Sequence, residues 1–145
     1  MNDANANPKS QKAALILGLG ETGEAAARWL AGEGRRLVLA DTRAEPSGLA
    51  ILQDRLAAHI DSCHVGCALE VTWLDDVDMV VLSPGLSPHQ EPIKSFLQHA
   101  AQLGVEVVGE IELFARALID LAKQRDYHPQ VLGVTGTNGK TTVTA

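Results

Sequence analysis

Short apolar runs alternate along the chain with segments in which apolar residues recur at the three- to four-residue spacing of a helix. Strands are predicted at residues 13–19, 36–40, 62–65, 79–82, 105–108 and 131–135. Helices are predicted at residues 22–31, 49–60, 92–103 and 110–125, and another begins after residue 139. This alternation predicts an α/β fold, with an open parallel sheet, helices on both faces and right-handed crossovers.

The same pattern predicts which large side chains are buried. In the helix at residues 110–125, the positions with inward spacing are Ile111, Phe114, Leu118 and Leu121. Trp29 and Trp73 are expected in the core, because tryptophan is buried on average.

A glycine-rich loop follows the first predicted strand and opens the first helix. It has the G-x-G-x-x-G pattern, with glycines at 18, 20 and 23. Gly18 allows a tight turn, Gly20 lets the backbone approach a phosphate, and Gly23 lets the helix pack close to the strand. Amides at the helix N-terminus then favour a diphosphate. Glu21 would repel that diphosphate, so we expect its carboxylate to point to solvent.

Asp41 ends the second predicted strand, about 20 residues beyond the loop, where such Rossmann-like folds bind the sugar or base end of a nucleotide. Arg43 follows closely and is able to read a 2′-phosphate. From these residues alone, an NAD(P)-dependent oxidoreductase is the first alternative that stays open. A non-catalytic nucleotide-binding module is a second alternative.

A second glycine loop follows the last predicted strand, at residues 136–142. Backbone amides there predict a phosphate cradle, with Lys140 at the β- and γ-phosphates and the Thr141 hydroxyl on Mg²⁺. The general phosphate-loop pattern has a glycine five residues before Gly139, and this chain departs from it with Val134 at that position. We expect the loop to be mobile in this chain and to hold ATP poorly, since short helices are marginal in water.

Composition excludes several other classes of function. The net charge of −6, with no cluster of Lys and Arg, argues against nucleic acid or an anionic membrane as partner. The first 12 residues are polar and lack a signal-peptide core, so we expect a disordered tail and a cytoplasmic location. Cys63 and Cys67 lack the spacing of a zinc or redox pair.

The imperfect second loop, Thr-Gly-Thr-Asn-Gly-Lys-Thr-Thr at residues 135–142, resembles the Mur ligase and folylpolyglutamate synthetase group. Four further stretches are similar to the D-glutamate-adding branch of the Mur ligases, at residues 18–23, 41–43, 83–85 and 109–114. The resemblance runs from about residue 13 to the last residue.

The resemblance implies a set of binding residues. Leu19 and Thr22 are expected at the diphosphate of a UDP-sugar, residues 41–43 at its uracil end, and residues 83–85 closing the pocket. The implied UDP-sugar-binding residues are Gly18, Leu19, Gly20, Thr22, Gly23, Asp41, Thr42, Arg43, Ser83, Pro84 and Gly85. The implied ATP-binding residues are Gly136, Thr137, Asn138, Gly139, Lys140, Thr141 and Thr142, with Lys140 and Thr141 catalytic and Thr141 on the metal.

The resemblance also implies an organisation and an activity. We expect a Rossmann-like UDP-sugar-binding domain at residues 13–109, a connecting helix and linker at 110–128, and the start of a truncated ATP-binding domain at 129–145. The implied reaction is ATP- and Mg²⁺-dependent ligation of D-glutamate to UDP-N-acetylmuramoyl-L-alanine through an acyl phosphate. Because the other catalytic groups of this family lie further along the sequence, we expect this chain to have no ligase activity. We also expect it to be a monomer.

Overall fold

The computed structural model describes residues 12–144. Lys12 is exposed and lies outside any helix or strand. The rest of the predicted disordered tail falls outside the described residues. Among the residues described, no helix has both the length and the apolar character that crossing a bilayer requires.

The predicted alternation of strands and helices is confirmed through residue 125. The strands are β1 (Ala13–Leu17), β2 (Leu37–Asp41), β3 (Ile60–Val65), β4 (Val77–Leu82) and β5 (Glu106–Val108). The helices are α1 (Glu21–Gly32), α2 (Leu49–Leu56), α3 (Ile93–Gln102), α4 (Glu110–Arg125) and α5 (Lys140–Thr144). The helix predicted at residues 49–60 is shorter, because a 3₁₀ turn at Ala57–His59 leads into β3.

In the described part of the chain the strands form one parallel sheet in the order β3-β2-β1-β4-β5. Leu15 of β1 lies opposite Val38 of β2 on one side and Val80 of β4 on the other. The chain builds β2 and β3 on one side of β1 and then crosses to β4. Loops that leave β1 and β4 therefore diverge, which opens a crevice at their carboxyl ends.

Each face of the sheet has its own apolar core. Along β1, Ala14 and Ile16 pack on the face covered by α1 and α2, where Leu30 and Leu52 are buried. Leu15 packs on the opposite face, which α3 covers with Ile93, Phe96 and Ala100. All five β1 residues are buried, as expected for a strand with helices on both faces.

The chain divides into two compact units, residues 1–113 and 114–145. In the second unit the predicted strand at residues 131–135 is wrong, because these residues form no regular structure. Val131 and Leu132 are 59% and 92% exposed. A strand needs a neighbour for its backbone hydrogen bonds, and no described strand pairs with this segment.

Some predicted core positions are also wrong. Trp29 on α1 is 44% exposed, and Ile111 and Phe114 on α4 are 71% and 51% exposed. Leu113 is the buried residue of α4 instead. Helical spacing identifies an apolar stripe, but it does not reveal which part of that stripe another element covers. Trp73, in contrast, packs against the α3 side of the core.

Candidate functional site

An open cleft of about 540 Å³ lies in the first unit, at the carboxyl ends of β1, β2 and β4. Three loops form it, and each contains residues that the sequence singled out. The lining residues are Gly18, Gly20, Glu21, Thr22, Asp41, Thr42, Arg43, Ser83, Pro84, Gly85 and Leu86. The cleft coincides with the crevice where the strand order reverses, which is where open α/β sheets bind ligands.

The glycines of the first loop have separate roles. Gly18 has φ +95°, a conformation that L side chains rarely adopt. A Cβ at Gly23 would lie 1.9 Å from the carbonyl oxygen of Gly18, so only glycine lets α1 pack this close to the turn. A Cβ at Gly20 would meet nothing within 4 Å. Backbone is therefore accessible at Gly20, where the sequence predicted close approach of a phosphate.

The N-terminus of α1 opens into this cleft. Gly20 is the N-cap, and no side chain caps the helix. Thr22, in the first turn, lines the cleft and offers its hydroxyl and amide. Glu21 is exposed, as predicted, but it also lines the cleft. An uncapped helix N-terminus attracts an anion through its free amides and dipole, and the Glu21 carboxylate weakens that attraction.

Asp41 joins the loop after β2 to the loop after β1. Its side chain is 4% exposed. One carboxylate oxygen, Oδ2, accepts from the Leu19 amide at 2.8 Å and from Nη2 of Arg43 at 2.7 Å. The other, Oδ1, accepts from the amide and Nε of Arg43 at 2.8 and 3.0 Å. The Arg43 side chain is 59% exposed, so this ion pair has a buried carboxylate and an open guanidinium.

These bonds keep Asp41 ionised. Burial by itself would raise the pKa of the carboxyl group, but hydrogen bonds from Arg43 and Leu19 and the charge of Arg43 outweigh that effect. The net pKa of Asp41 is therefore below the usual range for an aspartate. The same contact raises the pKa of Arg43. Both groups are charged across the physiological range.

Two residues outside the cleft lining hold the loop after β2 in place. The Gly48 amide donates to the Leu19 carbonyl at 3.0 Å. The Gly66 amide, just after β3, donates to the carbonyls of both Asp41 and Arg43 at 3.0 Å. Gly66 has φ +66°, and a Cβ there would lie 3.0 Å from Ala44. The loop after β2 is therefore hydrogen-bonded on one side to the loop after β1 and on the other side to the residue that follows β3.

The loop after β4 supplies the third wall. The Ser83 hydroxyl donates to the Gly18 carbonyl at 2.8 Å, and its amide donates to the Leu17 carbonyl at 3.0 Å. Pro84 and Gly85 are exposed beside it, and a Cβ at Gly85 would meet open space. Ser83 therefore fixes the distance between the two walls.

The structure brings nine of the predicted UDP-sugar residues to the cleft and leaves Leu19 and Gly23 behind it. Leu19 is fully buried, and its amide and carbonyl are bonded to Asp41 and Gly48. Sequence reasoning did not identify Leu86 or the supporting glycines at 48 and 66. The position of Leu86 directly after the Ser-Pro-Gly triplet was the available signal for it. The sequence held no signal for Gly66, because its role depends on contact with a loop more than 20 residues earlier in the chain.

The second glycine loop belongs to the unit at residues 114–145 and is exposed throughout. Gly139 has φ +78°, and Lys140 begins α5 directly after it. The Lys140 ammonium donates to the Gly136 carbonyl of its own loop. The Thr141 and Thr142 side chains follow in the first turn. A glycine-containing backbone, an adjacent ammonium and a hydroxyl are the kinds of group that would hold ATP phosphates and Mg²⁺ in a phosphate loop.

Comparison with known proteins agrees with this geometry. Residues 12–109 match the model of the Mur ligase MurD-like N-terminal domain. The chain is 54% identical over 147 aligned residues to the UDP-N-acetylmuramoylalanine–D-glutamate ligase of Bordetella parapertussis, covering all of the chain and 29% of that protein. It is 59% identical to the enzyme of the same name from Bordetella avium over 133 residues, which is 90% of the chain and 26% of that protein.

A solved structure supports the same assignment. The pseudomurein peptide ligase type C from Methanothermus fervidus matches 91% of the chain and 24% of its own length, with a TM-score of 0.54 and 25% identity. The chain thus spans less than a third of each of these proteins. Family model, sequence identity and fold all point the same way, and the chain belongs to the Mur ligase family, with a MurD-like N-terminal domain at residues 12–109.

Proposed function

We propose that this chain provides the UDP-sugar-binding part of an enzyme that ligates D-glutamate to UDP-N-acetylmuramoyl-L-alanine in peptidoglycan precursor synthesis. The relatives are named for that ligation, and the chain aligns with slightly over a quarter of their length. The proposed place of action is the cytoplasm.

The cleft at the switch point supports this proposal most directly. The uncapped N-terminus of α1, with open backbone at Gly20, suits the diphosphate of the ligand. The Arg43 guanidinium, at the carboxyl end of β2, suits the uridine end, because it supplies several donors in a plane that stacks on or bonds to a base. The loop of Ser83, Pro84 and Gly85 forms the opposite wall.

We further propose that the ligation depends on ATP. ATP would transfer its γ-phosphoryl group to the carboxylate of the L-alanine on the UDP-sugar and leave as ADP. The D-glutamate amine would then attack the acyl phosphate, and the amide would form as phosphate leaves and the amine loses a proton. Lys140 would hold the ATP phosphates and Thr141 the Mg²⁺ that neutralises charge on the transferring phosphoryl group. Residues 1–145 alone are proposed to bind the UDP-sugar without ligating it, since the resemblance places the D-glutamate site elsewhere.

Calorimetric titration tests the proposal. The 145-residue chain is titrated with UDP-N-acetylmuramoyl-L-alanine, UDP, NADH and NADPH. The proposal expects binding of both uridine compounds and weaker binding of both dinucleotides. Tighter binding of NADH or NADPH than of UDP would instead support the oxidoreductase alternative.

Two substitutions locate the pocket. Arg43→Ala and Thr22→Val should each weaken UDP binding about tenfold, which corresponds to the loss of one hydrogen bond to a charged group. Circular dichroism should show that both variants are folded. Arg28→Ala is the matched control, because Arg28 is a similarly exposed arginine outside the cleft. Unchanged affinity in both Arg43→Ala and Thr22→Val would place the ligand elsewhere.

A further inference from the structure

The carboxylate of Asp41 already has as many hydrogen bonds as it is able to accept. A carboxylate offers about four lone-pair sites on its two oxygens. Each Asp41 oxygen accepts two bonds, from Leu19 and Arg43 on one side and twice from Arg43 on the other. A ligand hydroxyl or ring N–H would have to displace one of these donors from a site that is 4% exposed.

Arg43 is in the opposite situation. A guanidinium has five N–H donors, and Asp41 takes one on Nε and one on Nη2. The side chain is 59% exposed and lines the cleft. The carboxylate accepts hydrogen bonds from one edge of the planar guanidinium. The remaining N–H donors and the flat face are left for another partner.

Hydrogen bonds from neighbouring segments hold the loop that carries Asp41 and Arg43 in place. Gly66 donates to the carbonyls of Asp41 and Arg43, and Gly48 donates to Leu19. The carboxylate is therefore fixed relative to the glycine loop, and the guanidinium is fixed relative to the carboxylate. Freezing a long arginine side chain before binding lowers the entropy lost when the ligand arrives.

We propose that Asp41 is a positioning residue that holds Arg43 toward the ligand, and that the ligand meets the guanidinium and not the carboxylate. The inference rests on the proposed binding of a uridine diphosphate in this cleft. It also bears on specificity. Dinucleotide-binding enzymes use a free carboxylate at this place for a ribose hydroxyl, and that acceptor is occupied here.

A double-mutant cycle with UDP as the probe tests the inference. The 145-residue chain is compared with Asp41→Asn, Arg43→Gln and the double variant by calorimetry. Asp41→Asn should weaken UDP binding about tenfold when Arg43 is present, and less than about twofold when Arg43 is already replaced. Glu45→Gln is the control. It removes an exposed carboxylate on the same loop, outside the cleft lining, and should leave the UDP affinity unchanged.

An equal penalty for Asp41→Asn in both backgrounds would overturn the inference and leave the proposed function standing, because Asp41 would then affect UDP binding independently of Arg43. Absence of UDP binding by the unmodified chain would instead overturn the proposed function, and this inference with it.

A second measurement covers the case in which Asp41→Asn does not fold. In the unmodified chain, the Nε–H resonance of Arg43 should be protected from exchange without ligand and should remain protected when UDP saturates the cleft. Loss of that protection on adding UDP would show that the ligand takes the carboxylate, and would overturn the inference.

Discussion

The Ser83 hydroxyl donates a 2.8 Å hydrogen bond to the carbonyl oxygen of Gly18, 65 residues earlier in the chain. A Cβ at Gly18 would lie 2.7 Å from the Cβ of Ser83, so the contact also requires glycine on the other side. The two walls of the cleft are therefore joined directly, at the point where the strand order reverses.

Removing this hydroxyl should loosen the cleft. Ser83→Ala leaves the Gly18 carbonyl without its side-chain donor, and we expect a loss of about 1 kcal/mol in the free energy of unfolding. UDP affinity should fall as well, because the glycine loop is no longer fixed. Urea unfolding and calorimetry measure the two effects. Ser87→Ala, on the same loop but outside the cleft lining, is the control, and an equal loss in both variants would contradict the role given to Ser83.

The two glycines at the start of α1 should separate folding from binding. Gly23→Ala puts a methyl group 1.9 Å from the Gly18 carbonyl oxygen. Alanine ordinarily stabilises a helix by about 1 kcal/mol relative to glycine, but overpacking against fixed backbone should cost about 3 kcal/mol or more, so the variant is destabilised.

Gly20→Ala should behave in the opposite way. Its methyl group meets nothing within 4 Å, so the loss of stability should not exceed the roughly 1 kcal/mol that alanine costs at a helix N-cap. The same methyl group occupies the space where a phosphate would approach, so UDP binding should weaken strongly. Normal UDP affinity in a folded Gly20→Ala variant would show that the diphosphate lies elsewhere.

Gly66 and Gly34 form a matched pair with positive φ, at +66° and +78°. Alanine at either position should cost roughly 1 kcal/mol in stability because of the left-handed backbone. Only Gly66→Ala brings its methyl group to 3.0 Å from Ala44, and only Gly66 bonds the loop that carries Arg43. We therefore expect reduced UDP affinity for Gly66→Ala alone. Calorimetry and thermal unfolding of both variants provide the comparison.

The ion pair of Asp41 and Arg43 should make stability sensitive to acid. The pKa of Asp41 is lower in the folded chain than in the unfolded chain, so its contribution to stability is complete above the unfolded value of about 3.9 and is lost as the pH falls through the folded value. The difference in unfolding free energy between the unmodified chain and Asp41→Asn should therefore be constant from pH 7 to about pH 5. It should shrink below about pH 4, and a difference that grew in that range would contradict the assignment.

Much of the fold was predictable because it depends on local periodicity. The buried run of β1 and the glycines at 18 and 23 define a strand, a tight turn and a closely packed helix without reference to the rest of the chain. The failed strand at residues 131–135 shows the limit of that reasoning. Its apolar run is real, but a strand also needs a partner that sequence pattern does not supply.

The sequence by itself determined the order of elements through residue 125, the three loops of the cleft and the residue types that they carry. Only the tertiary structure decided that Asp41 is saturated by Leu19 and Arg43, that Ser83 is bonded to Gly18, and that Leu19 lies behind the cleft. The bonds from Leu19 to Asp41 and from Ser83 to Gly18 join residues 22 and 65 positions apart, and a buried polar group takes whichever donor the packed fold places within reach.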